Sequence, residues 1–194
     1  MNVKKSALLA AAALAFVAGS ASAESLNFSL SSDAFRFGLS GPLSRVLSGV
    51  DGQYDLGYLQ HRGNGNDSFA AHVGALATGD AGLRDIDLKA GVGLRAVFVG
   101  GDGENGGAIA PGVQLDARLP GYDRIGLIGT AYYAPGVVSF GDVDDYRDLS
   151  AVLSYQINRS AAVFGGYRNV RIGVDHAPDQ TIDNGLYGGI SLTF

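Results

Sequence analysis

Apolar and polar residues alternate along most of the chain after residue 24. A period of two indicates β-strands with one apolar and one polar face. Polar, glycine-rich breaks separate these rows, and counting them predicts ten antiparallel strands. If the first hairpin, from Leu26 to Leu39, does not form, eight remain. The longest row and its opposite face are Ile86, Leu88, Ala90, Val92, Leu94, Ala96 and Phe98 against Asp87, Lys89, Gly91, Gly93 and Arg95.

The final segment, Gly185 to Phe194, alternates strictly and ends on an aromatic residue. A soluble edge strand would leave such an apolar row without a partner. A transmembrane barrel strand of about 9–11 residues instead turns this row toward lipid and its polar row toward the lumen. We therefore predict an all-β fold, an antiparallel transmembrane up-and-down β-barrel. The terminal Phe194 resembles a targeting signal, so Gly185 to Phe194 is expected to engage the barrel-insertion machinery.

Connections between the predicted strands suggest an orientation. Both termini of an even-stranded barrel lie on the periplasmic side. The short turns 119–123 and 158–160 then fall on that side, whereas the longer loops 134–145 and 174–183 fall outside. The segment 100–107 is predicted to be an acidic loop. The segment 41–51 is predicted to be a longer periplasmic connection that contains a helical turn. Pro111 is expected near a strand start, because proline interrupts a strand interior.

The N-terminus supplies an export signal. Lys4 and Lys5 precede an apolar run from Ser6 to Gly19, and Ala21-Ser22-Ala23 forms a cleavage site. Residues 1–23 are thus predicted to be a cleaved secretory signal peptide, and residues 24–194 one barrel domain. No later run is long enough for a spanning helix. The predicted location is the outer membrane of a Gram-negative bacterium after Sec-type export.

Charge and composition limit the classes of molecule that the protein is expected to bind. The chain has 19 acidic and 14 basic residues, two of them in the leader, so nucleic acid is not an expected partner. Cysteine and tryptophan are both absent, so an aromatic girdle would use Tyr and Phe, such as Tyr58, Phe98, Tyr133 and Tyr155. Outer-membrane lipid and lipopolysaccharide are the expected surroundings. A soluble lipocalin-like barrel or sandwich stays an alternative, with its apolar rows inward.

The second half of the chain resembles a known family. The segments that carry the resemblance are Tyr132-Tyr133-Ala134-Pro135, Asp144-Asp145-Tyr146, Gly166-Tyr167-Arg168 and the closing residues 185–194. They resemble the YfaZ family of predicted outer-membrane proteins over roughly residues 125–194. The resemblance implies an outer-membrane β-barrel. It implies no catalytic residue, because no activity is established for the family.

Polar residues on the predicted inner face form the most informative group. Both charges are present, and buried charges persist only when paired and hydrogen-bonded. A narrow barrel has little free lumen, which favours a polar plug over a conducting path. If the barrel conducts, Lys89, Arg95, Arg118 and Arg168 are the residues to test. The predicted set is Asp55, His72, Asp87, Lys89, Arg95, Gln114, Asp116, Arg118, Gln156 and Arg168.

Other candidate chemistry is weak. His61, near Ser68 and Asp67, would be the base of a lipid hydrolase, but no nucleophile, base and acid share a recognisable spacing. Gly91 to Ala96 matches a dinucleotide fingerprint formally but lies within a strand pattern rather than before a helix. The acidic stretches 102–105 and 142–145 lack EF-hand spacing and fit solvated or lipopolysaccharide-facing loops.

We therefore assign no catalytic, cofactor-binding or metal-binding residue and expect no cofactor. The predicted function is an outer-membrane barrel of undefined role, structural or interacting through its external loops rather than enzymatic. The alternatives are a small solute pore and a lipid-modifying hydrolase. Whether His61 or His72 acts beyond structure is left open.

Overall fold

The protein is described by a computed structural model over residues 24–62, 67–82, 86–101, 104–118, 121–174 and 179–194. The predicted signal peptide lies outside the described residues. Within those residues, no helix is both long and apolar enough to cross a membrane.

Eleven β-strands and two single-turn 3₁₀ helices make up the described part of the chain. The first 3₁₀ turn, Leu43–Arg45, lies in the connection predicted to hold a helical turn, and the second is Gly136–Val138. The strands are β1 Ser25–Leu30, β2 Ala34–Pro42, β3 Gln53–Arg62, β4 Asp67–Asp80, β5 Asp87–Gly101, β6 Glu104–Arg118, β7 Ile125–Ala134, β8 Ser139–Gly141, β9 Val143–Asn158, β10 Ala161–Val174 and β11 Gln180–Thr193.

The strands form one closed antiparallel barrel. Each pairs with the next along the chain, except that β7 pairs with β9, and β8 is an extra strand on the edge of β6. Closure comes from β1 and β11, which pair from Ser25 opposite Thr193 to Leu30 opposite Gly188. The ten-stranded barrel is thus confirmed. The first hairpin forms, with Leu26 opposite Leu39, so the eight-strand alternative is wrong.

Several predicted loops are strand. Residues 100–101 belong to β5, residues 104–107 to β6 and residues 143–145 to β9, so these strands reach 15 or 16 residues. Their glycine-rich ends continue the hairpin pairing instead of leaving it. Pro111 lies in the middle of β6, contrary to expectation. It is accommodated at an interruption, because the pairs of β6 with β7 begin at Gly112 and those with β8 end at Ala108.

The outer surface carries the apolar rows predicted from sequence. Leu94 in β5 and Leu153 in β9 are 56% and 58% exposed, although both lie within long strands. The soluble alternative required these rows to point inward, and the structure contradicts it. All four residues predicted for an aromatic girdle, Tyr58, Phe98, Tyr133 and Tyr155, are exposed on the outside.

The interior differs between the two ends of the barrel. The end that holds Glu24 and Phe194 is the terminal end, and the opposite one is the loop end. At the loop end the inward side chains form an apolar core. Its buried members are Ala34, Leu59, Ala70, Val97, Val99, Ala108, Ala110, Tyr132, Ala134, Val143, Tyr146, Val170, Ile172, Val174 and Ile182. Toward the terminal end, charged and hydroxyl side chains replace them.

Candidate functional site

An ionic layer, formed by Arg36, Asp55, His72, Arg95 and Asp148, crosses the middle of the barrel. Arg95 connects the two carboxylates: its Nε lies 2.8 Å from Asp55 Oδ2, and its Nη1 lies 3.2 Å from Asp148 Oδ2. His72 Nε2 lies 2.9 Å from the same oxygen of Asp55. Arg36 Nη1 is more distant, 3.9 Å from Asp148 Oδ2. The layer joins β2, β3, β4, β5 and β9 through their side chains.

The Arg95 guanidinium is also held from one side by an aromatic ring. Its Cζ lies 3.7 Å from the ring centroid of Tyr132, within the range of a cation–π contact. Arg95, Asp55 and Asp148 are each less than 8% exposed. Such charges persist in a barrel interior because each has an opposite charge within contact distance. The layer thus has the form of the polar plug predicted from sequence.

A second buried pair lies between β10 and β11. The Arg168 guanidinium contacts Asp183 through Nε, at 2.6 Å from Oδ2, and through Nη2. Ser31 Oγ donates to the other carboxylate oxygen at 3.1 Å, so this pair also ties the first hairpin to the last strand. Tyr187 covers the guanidinium, with its ring centroid 4.5 Å from Cζ. Both charged side chains are 1% exposed.

Inward glycines make room for these large side chains. Gly57 lies opposite His72, and Gly74 lies opposite Arg95 in the strand register. A Cβ on Gly57 would overlap the His72 ring, and one on Gly74 would overlap the Asp55 carboxylate. Gly112 stands in the same relation to the Tyr132 ring. The inward glycines thus leave space for large side chains inside the barrel, which is the packing role predicted for Gly91 and Gly93 of the dinucleotide-like segment.

A cavity of about 400 Å³ lies between the ionic layer and the terminal end. Arg36, Asp55, His72 and Arg95 form its inner wall, and eight serine or threonine residues are among the other residues that line it. The volume falls within the range of small-molecule sites, roughly 300–1,000 Å³. On the other side of the ionic layer lies the apolar core. The described interior is therefore polar and partly open toward one end, and packed toward the other.

Comparison with known proteins places this barrel in a family. The family model described as YfaZ precursor matches residues 3–194. The chain belongs to the YfaZ family. The resemblance first seen over residues 125–194 therefore extends over essentially the whole sequence. No curated protein and no solved structure gave a significant match.

The structure separates the ten predicted inner-face residues of this YfaZ-family barrel into four groups. Asp55, His72 and Arg95 belong to the ionic layer, and Arg168 forms the second buried pair. Asp87 and Lys89 are exposed near the terminal end. The remaining four line the cavity near its mouth: Gln114, Asp116, Arg118 and Gln156.

Three charged residues of the interior were missed. Arg36 lies between the outward Phe35 and Phe37, and Asp148 directly precedes the outward Leu149, so the alternation alone places both inside. Asp183 has the inward parity of Gly185 and Tyr187, so extending the closing strand by two residues would have found it as well. Beyond it, a register shift opposite Val170 and Arg171 leaves Ile182 as an extra residue, which is buried although it lies on the outward parity of β11. A bulge of this kind breaks the parity on which the prediction rests.

The hydrolase candidates do not meet as predicted. His61 and Ser68 face each other in the register of β3 and β4 on the inward side, whereas Asp67 pairs with Arg62 on the other face. The nearest acid to the His61 ring is Asp33, with 3.9 Å between Nδ1 and Oδ2. A lipid hydrolase would need these groups on the lipid-facing surface.

The acidic stretches are partly described. Residues 102 and 103 lie outside the described part of the chain. The Asp142 carboxylate accepts a hydrogen bond from the Asn105 amide at 3.0 Å, which fastens β8 to the start of β6. Among the described residues, no group of three or more His, Asp or Glu side chains is placed to hold a metal ion.

Proposed function

We propose that the chain is an outer-membrane β-barrel with a closed lumen, which acts as a structural or interacting component rather than as a conduit. The observation that carries the proposal is the inverted distribution of polarity. Apolar rows cover the outside of the barrel, and ion pairs and hydroxyl groups lie inside it. A soluble protein rarely exposes so continuous an apolar surface, whereas lipid requires it. Membership of a family described as a precursor supports export through residues 1–23.

Closure of the lumen follows from two successive barriers. A solute that entered the cavity would first meet the ionic layer, where Arg95 bridges two carboxylates, and then the apolar core. Opening a path would separate buried charges, which is unfavourable unless each finds a new partner. This arrangement favours the plug over the solute pore.

The loop end supports an interacting role. Exposed carboxylates lie there, among them Asp33, Asp67, Asp144 and Asp179. With the termini in the periplasm, these acids face the outside. They suit the divalent-bridged lipopolysaccharide layer, because hard cations prefer carboxylate oxygens. The exposed loop-end surface and the lipid-facing rows are thus the proposed contact surfaces, and residues 185–194 are the proposed segment for insertion machinery.

The test uses the mature chain refolded from denaturant. A membrane barrel requires detergent or lipid to fold and migrates differently on gels before and after heating. Planar-bilayer recording of the same material should show no discrete conductance. Solubility without detergent would reject the membrane barrel, whereas steady single-channel currents would reject only its closure. For the hydrolase alternative, an unchanged lipid A mass profile on overexpression of wild type and His61→Ala would remove the last support.

A further inference from the structure

The cavity at the terminal end has a charge opposite to that of the chain. Six of the eleven arginines of this acidic sequence line it: Arg36, Arg95, Arg118, Arg124, Arg159 and Arg168. The acidic residues that line it are Asp55 and Asp116. In the ionic layer Arg36 and Arg95 balance Asp55 and Asp148, and Arg168 balances Asp183. The three arginines at the rim outnumber Asp116 and give the mouth of the cavity a positive field.

Arg36 lies at the base of the cavity and is incompletely paired. Its nearest carboxylate, Asp148, lies 3.9 Å away and already accepts from Arg95 at 3.2 Å. A guanidinium presents five N–H donors in a fork that matches a phosphate or carboxylate. Within the described residues, Arg118, Arg124 and Arg159 at the mouth form no salt bridge; Arg118 donates to the Asp123 carbonyl at 3.3 Å. The cavity therefore offers donors both at its base and at its rim.

The same cavity also offers acceptors. Oδ1 of Asp55 and Oδ1 of Asp116 are buried and have no hydrogen-bond partner among the described protein groups. Both residues line the cavity, and buried polar atoms are nearly always paired, so a small rotation of each carboxylate would offer this free acceptor to a donor on a bound molecule. An anion alone would not supply such donors. Hydroxyl groups on the ligand would, and the serine-rich wall provides further partners for them.

We propose that the terminal-end cavity binds a small anion that carries hydroxyl groups, of the sugar-phosphate class. The anionic group would lie against Arg36, with the rim arginines drawing it in, and ligand hydroxyls would donate to Asp55 and Asp116. A cavity of about 400 Å³ holds one such molecule. In the proposed orientation it would be supplied from the periplasm, since the apolar core blocks the other side. Binding itself depends only on the folded barrel, not on its direction in the membrane.

Calorimetric titration of the refolded barrel in a zwitterionic detergent tests this directly, with glucose 6-phosphate as the probe and glucose as its uncharged control. We expect saturable binding of the phosphate and none of glucose at about 10 mM, well above a weak 1 mM dissociation constant. Arg36→Gln should weaken binding about tenfold or more, since a charge-assisted contact is lost. Arg62→Gln is the matched control, because Arg62 lies on the outer face of β3. Equal titrations for both sugars would overturn the proposal.

The absence of cysteine from the chain allows a second measurement that does not rely on Arg36 variants folding well. Ser191→Cys places a thiol in the cavity, and Ser48→Cys places one on an exposed turn. The ratio of the rate with an anionic methanethiosulfonate reagent to the rate with a cationic one should be higher at position 191 than at position 48, and glucose 6-phosphate should slow the reaction at position 191. The same ratio at both positions, or no protection by the phosphate, would overturn the proposal. Single-channel conductance would contradict closure of the lumen and leave this result standing.

Discussion

The buried pair between Arg168 and Asp183 gives the sharpest test of the interior. Asp183→Asn keeps the shape and the acceptor for Ser31 but leaves the Arg168 charge buried without a counter-charge. Breaking a buried pair on one side destabilises a protein by about 3–5 kcal/mol. An exposed ion pair three residues farther along β10 serves as the control. Arg171 and Asp179 join the same two strands, but their side chains are 43% and 41% exposed. Asp179→Asn should change stability by about 0–1 kcal/mol.

Urea unfolding in detergent micelles or lipid vesicles, followed by far-UV circular dichroism, measures the difference. With a denaturant slope of about 2 kcal/mol per molar urea, Asp183→Asn should lower the midpoint by roughly 2 M and Asp179→Asn by less than 0.5 M. Removing both charges in Arg168→Met/Asp183→Asn should recover much of the loss, because no unpaired ion then remains. Equal midpoints for the two single variants would refute the claim that burial decides the strength of these pairs. A double variant as unstable as Asp183→Asn would refute the role assigned to the unpaired charge.

Three further outcomes are expected. Gly74→Ala should destabilise the barrel by about 1–3 kcal/mol, because the added methyl group overpacks the ionic layer. Gly79→Ala on the same strand should leave the stability unchanged, because a Cβ there meets open space. Equal urea midpoints for the two variants would contradict this prediction. Leu94→Arg should cost about 2–4 kcal/mol in a bilayer if the outer rows face lipid, whereas the equally exposed Leu47→Arg on a terminal-end turn should be neutral. Deleting Phe194 should lower the amount of barrel assembled in cells but leave refolding in detergent intact, and unchanged assembly would reject its role in targeting.

The barrel could be predicted from sequence because period two is a local property. Each row from Leu26 to Leu192 shows its two faces within a few residues, and in the barrel the polar face is the one that points inward. The ends of the strands were harder to predict from the sequence. Residues 104–107 and 139–141 look like loops in the sequence, but they pair with each other as strands, and the two segments are distant in sequence.

The interior was predictable as a list of residues but not as a set of partners. Parity placed Asp55, His72 and Arg95 inside, yet only the register of distant strands brings Asp148 to the same guanidinium. The cavity depends on a further non-local fact, the division of the interior into an apolar half and a polar half. The register shift that buries Ile182 lies beyond any parity argument, because it depends on how β10 and β11 pair.

The glycines opposite large inward side chains have a consequence for how the barrel reaches one register. A slip of one residue would exchange the two faces of a strand, and the hydrophobic pattern forbids it. A slip of two residues keeps every face correct, so polarity offers no protection against it. Moving β4 by two positions along β3 would set His72 against Asp55 or Leu59 in place of Gly57, and leave a gap elsewhere. Because these inward glycines lie opposite large side chains, steric fit between neighbouring strands selects the correct register where polarity does not.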